Sequence, residues 1–221
     1  MGNQSKPQSA LSGSIPRDRM TDRKRASIMQ AAVDAFQQHG YHAANMNGIA
    51  AAASVSKRTL YNHFDSKEAL FDAIIEELAS RVDQLPACEF DASRDLSDQL
   101  VELASSEVDF LTSEDVQALA RAGLSRVLTE PKAGQQVDQR RFLKRVTTWM
   151  KRAQASGCLV KADPEFAAMQ FVGLLRTFAF WPTIVHGESP PSRRKRNQII
   201  ASTVDMFLSR YASDKGKGVR R

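Results

Sequence analysis

The side chains best placed for chemistry lie within residues 46–64, where hydrogen-bond donors occupy one side of a short predicted helix. At about 100° per residue, Arg58, Thr59 and Asn62 share one face of this helix, while Leu60 points to the opposite face. Arg and Asn are side chains that hydrogen-bond base edges in the major groove of DNA. The pattern therefore predicts a helix that reads DNA.

This helix is the second of a predicted pair. Ile49, Ala50 and Ala53 give the preceding short helix a small, mostly apolar face, and Ser54–Ser56 interrupt it. The hydroxyl of Ser56 can accept from free N–H groups of the next helix, so the second helix is expected to begin there. An amphipathic helix with a polar outer face is also ordinary protein surface. The ordered set of two short helices, a tight turn and a following longer helix favours a helix-turn-helix.

The stretch from about Arg25 to Phe71 resembles the N-terminal domain of the TetR family of bacterial transcriptional regulators. Ala44-Asn45 stand where the family usually has Thr or Ser before the second helix, and Ser54 replaces the usual turn Gly. Asn45 is still a good N-cap, whereas Ser54 is expected to alter the tilt of the recognition helix. The residues that match are Ile28, Ala31, Ala32, Phe36, Gly40-Tyr41, Ile49-Ala50, Ala53, Val55-Ser56, Thr59-Leu60-Tyr61, His63-Phe64 and Ser66–Phe71.

Helical geometry divides the expected DNA contacts into two groups. Arg58, Thr59 and Asn62 should contact bases or the phosphates at the edge of the groove. The flanking side chains should bind the sugar–phosphate backbone and set the register. The full set of predicted DNA-binding residues is Asn45, Lys57, Arg58, Thr59, Tyr61, Asn62, His63 and Lys67.

Charge is distributed unevenly along the 221 residues, whose net charge is +6. Residues 1–64 carry eight Lys and Arg against three acids, whereas residues 65–192 carry fourteen against twenty. A basic N-terminal part on an acidic body fits one end of the molecule facing a phosphate backbone. Residues 193–221 carry nine cations against two acids, but cations at the start of a helix oppose its dipole. We expect that basic stretch to be solvated surface.

Composition indicates a cytoplasmic protein that needs no cofactor. Cys88 and Cys158 stand apart without metal-ligand spacing, which suits a reducing compartment. No signal peptide is apparent, and the longest apolar run, 166–181, is interrupted by Gln170 and Arg176. No membrane partner is therefore expected. The chain has no paired-His metal motif, Gly-rich phosphate loop or nucleophile elbow, so an enzyme gains little support.

Periodicity predicts an all-α fold of about nine helices and no strands. A flexible arm is expected over 1–20, a helix-turn-helix domain over 21–66, a helical effector-binding and dimerisation domain over 67–213, and a basic tail over 214–221. The predicted helices are 22–39, the two of the helix-turn-helix, 66–85, 93–112, 114–128, 132–156, 164–185 and 194–212.

The helix around 166–181 is apolar nearly all the way round, so it must be covered on both sides. The TetR resemblance implies a dimer built on the last two helices and a small-molecule pocket in the body, and the segment 171–187 is similar to AefR-like C-terminal domains. Arg176 could anchor an acidic effector, or its head could reach solvent or a neighbouring acid. The predicted effector-binding residues are Trp149, Met150, Arg176 and Phe178. The predicted dimer-interface residues are Phe180, Trp181, Ile200, Val204, Phe207 and Leu208.

These observations predict a homodimeric regulator that binds a palindromic DNA operator. The expected mode is repression relieved by a small hydrophobic effector. Two alternatives remain open: a ligand-independent repressor or activator, and an enzyme with an accessory DNA-binding head.

Overall fold

The computed structural model describes residues 17–217, and these residues are built almost entirely from helices. Within them the only extended pairing is an isolated bridge between Leu159 and Ala212. The expected all-α fold is therefore confirmed. The helices are α1 (Arg17–Ala43), α2 (Met46–Ala52), α3 (Lys57–His63), α4 (Lys67–Asp83), α5 (Leu96–Thr112), α6 (Glu114–Val127), α7 (Pro131–Gln135), the 3₁₀ turn η1 (Arg141–Leu143), α8 (Lys144–Ala155), α9 (Pro164–Ala179), α10 (Trp181–His186), α11 (Arg193–Tyr211) and α12 (Asp214–Lys217).

Most of the predicted arm, residues 1–16, and the end of the predicted tail, residues 218–221, lie outside the described residues. The parts that are described are helical. The start of the tail forms α12, where Lys215 Nζ donates to the Ser156 carbonyl at 2.7 Å. Gly216 lies so close to the Cys158 carbonyl that a Cβ would clash with it. The beginning of the expected basic tail is thus packed against the body.

Side-chain caps define the ends of the N-terminal helices, because each helix leaves unpaired N–H groups at its start. Asn45 accepts from the Gly48 N–H, Ser56 from the Thr59 N–H and Ser66 from the Ala69 N–H. Gly40 interrupts α1 with φ 77°, a left-handed conformation that suits glycine. The regular part of α1 therefore ends at Gly40, the position that the sequence indicated.

Two predicted helices are each divided in the structure. The expected helix 132–156 becomes α7, η1 and α8, because i→i+3 bonds close α7 after one turn and the Asp138 carboxylate accepts from the Arg140 N–H. The expected helix 164–185 breaks at Phe180, since Pro182 has no N–H to continue the ladder. The residues before and after Phe180 therefore belong to two separate helices, α9 and α10.

Two hydrophobic cores form, and α6 contributes to both. Leu119 and Ala122 of α6 pack into the N-terminal core with α1–α4. Ala120, on the same helix, packs into the core of the body with α5, α8, α9 and α11. The helix therefore connects the N-terminal helices with the larger helical body.

The expected dimer-interface residues of α11 lie inside this body core, so that prediction is wrong for them. Phe207 is 3% exposed and packs edge-on against Phe171 and face-on against Tyr211. The apolar stripe of α11 packs against α5 and α9 of the same chain, so it is already buried within one subunit. The residues concerned are Ile200, Val204, Phe207 and Leu208, all buried.

Within the described residues, one stretch, Pro164–His186, is long and apolar enough to span a membrane by length and composition. It comprises two helices divided at Phe180, and one face of α9 packs into the body core through residues such as Phe171 and Leu175. A core helix of a soluble protein meets the same criteria.

Candidate nucleic-acid interface and ligand cavity

The turn between α2 and α3 is closed by a Schellman motif. The Val55 N–H donates to the Ala50 carbonyl and the Ser54 N–H to the Ala51 carbonyl, both at 3.0 Å. Ser54 occupies the left-handed position with φ 55°, the only non-glycine residue with positive φ among those described. Ser therefore adopts at this turn the conformation for which glycine is usually selected. The departure from the family pattern leaves the turn intact.

Helix α3 presents an exposed polar surface and a buried apolar one. Leu60 is fully buried and Phe64 nearly so, and both belong to the N-terminal core. Lys57, Arg58 and Asn62 are exposed, and their side chains make no hydrogen bond or ion pair with the side chains described for residues 20–216. These donors are thus held on a fixed helix and remain free to bind a ligand.

The other predicted contact residues on and near α3 differ in their freedom. Tyr61 is exposed, and His63 is half-buried beside the ring of Phe64. The Thr59 hydroxyl is paired with the Ser56 hydroxyl at 2.9 Å, and Asn45 Oδ1 is occupied by the Gly48 N–H at 2.9 Å. Thr59 and Asn45 therefore have structural roles in the free protein.

Lys67 was expected to bind the DNA backbone, but its ammonium group already has partners within the protein. Its Nζ donates to the carbonyls of Tyr41, His42 and Ala44 at 2.8, 3.2 and 3.0 Å. The ammonium group also lies 4.6 Å from the centre of the Tyr41 ring. Lys67 thus satisfies the carbonyls at the end of α1, which otherwise lack partners. Sequence alone did not show this because the contacts span more than twenty residues.

Sequence reasoning missed two residues of α1 that support the recognition helix. Arg25 is exposed, and its guanidinium lies 4.4 Å from the centre of the Phe64 ring at the end of α3. Ser27 Oγ donates to the Ala53 carbonyl at 3.1 Å and so holds the end of α2. The cluster Asp22–Arg25 was the available signal, because it places three cations beside the predicted head.

A cluster of charged and aromatic residues joins the end of α1 to the end of α6. The Arg126 guanidinium lies 4.8 Å from the centre of the Tyr41 ring and 4.7 Å from that of Phe71, and it pairs with Glu130 at 2.9 Å. The Tyr41 hydroxyl donates to Glu68 at 3.0 Å, and burial raises the pKa of Tyr41 above its usual value. Glu130 also approaches His42 at 3.4 Å. The N-terminal helices are therefore in direct contact with the body.

The opposite side of α6 borders an apolar cavity of about 390 Å³, here called the chamber. Its size is within the usual range for small-molecule sites. Helices α4, α5, α6 and α7 supply most of its wall, together with Arg176 of α9 and Trp181 of α10. A polar groove of about 830 Å³ runs along η1, α8 and α9, and it shares Gln139, Phe142 and Arg176 with the chamber.

The chamber changes most of the effector assignments. Trp149 and Met150 are fully buried in the body core and do not line it, so their predicted role is wrong. Phe178 is 51% exposed on the outside of α9, while Arg176 lines the chamber, and its effector role stays a prediction. Phe180 and Trp181, predicted for the dimer interface, line the chamber instead, although Trp181 is also 40% exposed. The break between α9 and α10 at Phe180 accounts for the new positions of Phe180 and Trp181.

An apolar surface remains uncovered on α9–α11. Six of the ten large hydrophobic side chains that are exposed among the described residues lie there. Exposed apolar patches of this kind usually mark interaction sites. We call this set of side chains the apolar face; it consists of Phe166, Met169, Phe178, Trp181, Val185 and Met206, of which Met169 also lines the groove.

No cluster of His, Cys, Asp or Glu within residues 17–217 is suited to hold a metal ion. The geometry is instead that of a DNA-reading head joined to a helical body. A family model for bacterial regulatory proteins of the TetR family matches residues 28–74, and one for the C-terminal domain of AefR-like transcriptional repressors matches residues 98–213, more than half of the chain. This chain belongs to the TetR family.

Two solved structures of similar proteins agree with this assignment. A regulator from Pseudomonas syringae pv. tomato has a solved structure that superposes with a TM-score of 0.77 at 34% identity, covering 87% of this chain and 98% of that one. The flavonoid-responsive regulator FrrA superposes with a TM-score of 0.68 at 29% identity, covering 87% and 99%.

Two relatives match over shorter lengths. The regulator RutR of Escherichia coli is 38% identical over 71 residues, 32% of this chain and 34% of RutR. The activator FasR of Mycolicibacterium smegmatis is 34% identical over 118 residues, 52% of each protein. The chain therefore matches about a third of RutR and half of FasR.

Proposed function

We propose that this TetR-family chain is a cytoplasmic, homodimeric repressor that binds a specific DNA operator and is released from it by a small effector. The observation that carries the proposal is the outer surface of α3. There Lys57, Arg58 and Asn62 are exposed and unpartnered on a helix fixed by Ser56 and Leu60. The match to AefR-like transcriptional repressors favours repression.

The exposed donors are assigned to two kinds of DNA contact, base edges and backbone phosphates. Arg58 and Asn62 point to the centre of the outer face and are assigned to base edges, since Arg pairs with guanine and Asn with adenine. Lys57 and Tyr61 lie on its flank and are assigned to phosphates, which fix the register without reading sequence. Arg25, beside the end of α3, is a further candidate for a phosphate contact.

Selection of bound DNA from a random pool tests this assignment. Wild-type protein should enrich a palindrome, because a two-fold dimer presents two heads to two half-sites. Asn62→Ala should lose preference at one position of each half-site, at a cost of about 1–3 kcal/mol against the original base. Lys57→Ala should retain the same preferences and reduce the slope of log affinity against log salt by about one.

Lys161→Ala, an exposed cation on the body, is the matched control and should behave as wild type. Identical base preferences for Asn62→Ala and wild type would refute the assigned base contact. A pool from which wild-type protein enriches no sequence would refute the regulator itself.

Dimerisation is assigned to the apolar face. The face lies on α9–α11, the helices expected to pair, but it uses residues that point away from the body core. Pairing two such faces would remove their apolar surface from water, which favours association. The homodimer predicted from sequence is therefore retained with a largely different set of contacts, of which only Trp181 was predicted.

Effector control is assigned to the chamber, because α6 forms part of its wall and also contacts α1 of the DNA-reading head. An effector that binds preferentially to the state with wrongly spaced heads would release the operator, whereas one with equal affinity for both states would not. Small-molecule control has precedent in the similar structures: FrrA is described as flavonoid-responsive, and SmeT was solved as a complex with triclosan. A ligand-independent repressor is the remaining alternative, and operator binding that no chamber ligand alters would favour it.

A further inference from the structure

Arg176 is a cation without a counter-ion at the junction of the chamber and the groove. Among the side chains that the structure describes, residues 20–216, none lies within hydrogen-bonding distance of its guanidinium and no acid pairs with it. Burial lowers its pKa, while the charge of Glu107 raises it. Glu107 itself is bound to Arg145. A partly buried guanidinium in this state has lost part of its hydration without gaining a protein partner.

The surroundings of Arg176 are strongly asymmetric. On the chamber side it faces an apolar wall that includes Leu78, Leu124 and Phe180. On the groove side lie the exposed ammonium groups of Lys144 and Lys151. The three acids of the groove are already engaged: Glu165 is 3.7 Å from Arg140, Asp83 is 2.7 Å from Arg141, and Asp138 accepts from the Arg140 N–H. A molecule spanning the junction would therefore meet apolar surface at one end and unpaired positive charge at the other.

We propose that the effector is a hydrophobic organic anion whose apolar part fills the chamber and whose carboxylate or ionised phenol pairs with Arg176. The proposal rests on the proposed function and names the chemical class that its effector site takes. The planar guanidinium can donate two parallel hydrogen bonds to a carboxylate. An uncharged ligand would displace water from Arg176 without replacing its hydrogen bonds, and a cationic ligand would be repelled.

Matched pairs of aromatic and aliphatic carboxylic acids and their primary amides test the proposal, since each pair shares one carbon skeleton. Binding to the full chain is measured by calorimetry and by quenching of Trp181, which lines the chamber. Trp181→Phe should remove the quenching and so locate the bound molecule. For the skeletons that bind, the acid should bind wild-type protein at least tenfold more tightly than the amide.

Arg176→Met should abolish this preference. It should weaken binding of the acid at least tenfold and leave binding of the amide unchanged or tighter. Arg176→Lys, which retains charge without the planar fork, should keep part of the preference. Arg194→Met, at an exposed position on α11, is the control and should keep all of it.

Three results would overturn the proposal: equal binding of acid and amide by wild type, no binding by any pair, or an acid preference that survives Arg176→Met. The wild-type comparison decides the matter even if the Arg176 variants fail to fold. Selection of DNA by the ligand-free protein is a separate experiment. Its failure would refute the regulator, whereas failure of the acid–amide comparison alone would leave the regulator standing with another class of effector.

Discussion

Ser54 shows at the scale of a single residue how a departure from a family pattern is accommodated. Its left-handed backbone closes the turn between α2 and α3, although a side chain makes that conformation costly. Ser54→Gly should raise the free energy of unfolding by about 0.5–1 kcal/mol, after the greater freedom of Gly in the unfolded chain is allowed for. The measurement is urea unfolding followed by circular dichroism. An unchanged or lower midpoint would show that Ser54 is not strained.

Lys67 and Lys57 form a natural pair for separating structural from DNA-binding cations. Lys67→Met should lower the free energy of unfolding by about 1.5–3 kcal/mol, because it removes a charged donor from three carbonyls at the end of α1. Lys57→Met should change it by less than about 0.5 kcal/mol, since that side chain is exposed and unpartnered. Chemical denaturation of both variants makes the comparison. Equal stability losses would contradict the assigned capping role of Lys67.

Residue-level prediction from the sequence succeeded where a local pattern decides exposure. The outward orientation of Arg58 and Asn62 and the caps at Asn45 and Ser56 follow from helical spacing and from short-range hydrogen bonds. The effector assignment of Trp149 failed because an aromatic residue at helical spacing looks the same in a core and in a cavity wall. The full burial of Trp149 in the body core and its packing against Phe90 distinguish the two.

At the scale of elements, α6 is the helix that joins the DNA-reading head to the body. Arg126→Met should leave both operator affinity and chamber binding in place but reduce the factor by which a chamber ligand weakens operator binding. The reason is that Arg126 bridges the rings of Tyr41 and Phe71 from α6. The measurement is operator affinity with and without the tightest-binding carboxylic acid from the matched series.

Arg121→Met is the control for that experiment, because Arg121 lies on the same helix and has no described partner. It should retain the full ligand effect. An undiminished effect in Arg126→Met would remove the Arg126 contacts from the coupling. By reciprocity, operator DNA should weaken ligand binding by the same factor in each variant.

Element boundaries were predictable where a cap or a proline marks them. Asp163 and Pro164 indicated the start of α9. In the structure the Asp163 side chain accepts from the N–H groups of Glu165 and Phe166. The division of 132–156 was not predictable, since neither Gln135 nor Val137 carries a strong signal and the break depends on packing around η1. The break at Phe180 could have been anticipated from Pro182 alone.

At the scale of the whole molecule, the apolar face predicts how two chains assemble. Phe178→Asp should give a folded monomer that no longer binds the palindromic operator tightly, because it places charge on an exposed part of that face. Leu128→Asp, at a site 77% exposed on another surface, should remain a dimer. Light scattering gives the mass and circular dichroism the helical content. A Phe178→Asp protein that remains dimeric would move the interface elsewhere.

Phe207→Asp gives the contrasting outcome for the interface first expected from sequence. Because Phe207 is packed against Phe171 and Tyr211 inside one chain, this change should unfold the body and not merely separate subunits. Retained helical content with loss of the dimer would restore the original assignment. The apolar stripe of α11 was predicted correctly, but a stripe does not reveal whether its partner is the same chain or a second one.

Trp181 belongs to two surfaces at once, because its indole lines the chamber and is 40% exposed on the apolar face. If both proposals hold, the pocket is completed by the neighbouring subunit, and ligand uptake is thermodynamically linked to subunit association. The apparent dissociation constant of an effector would then vary with total protein concentration. Dilution of the repressor in the cell would by itself alter its sensitivity to the signal.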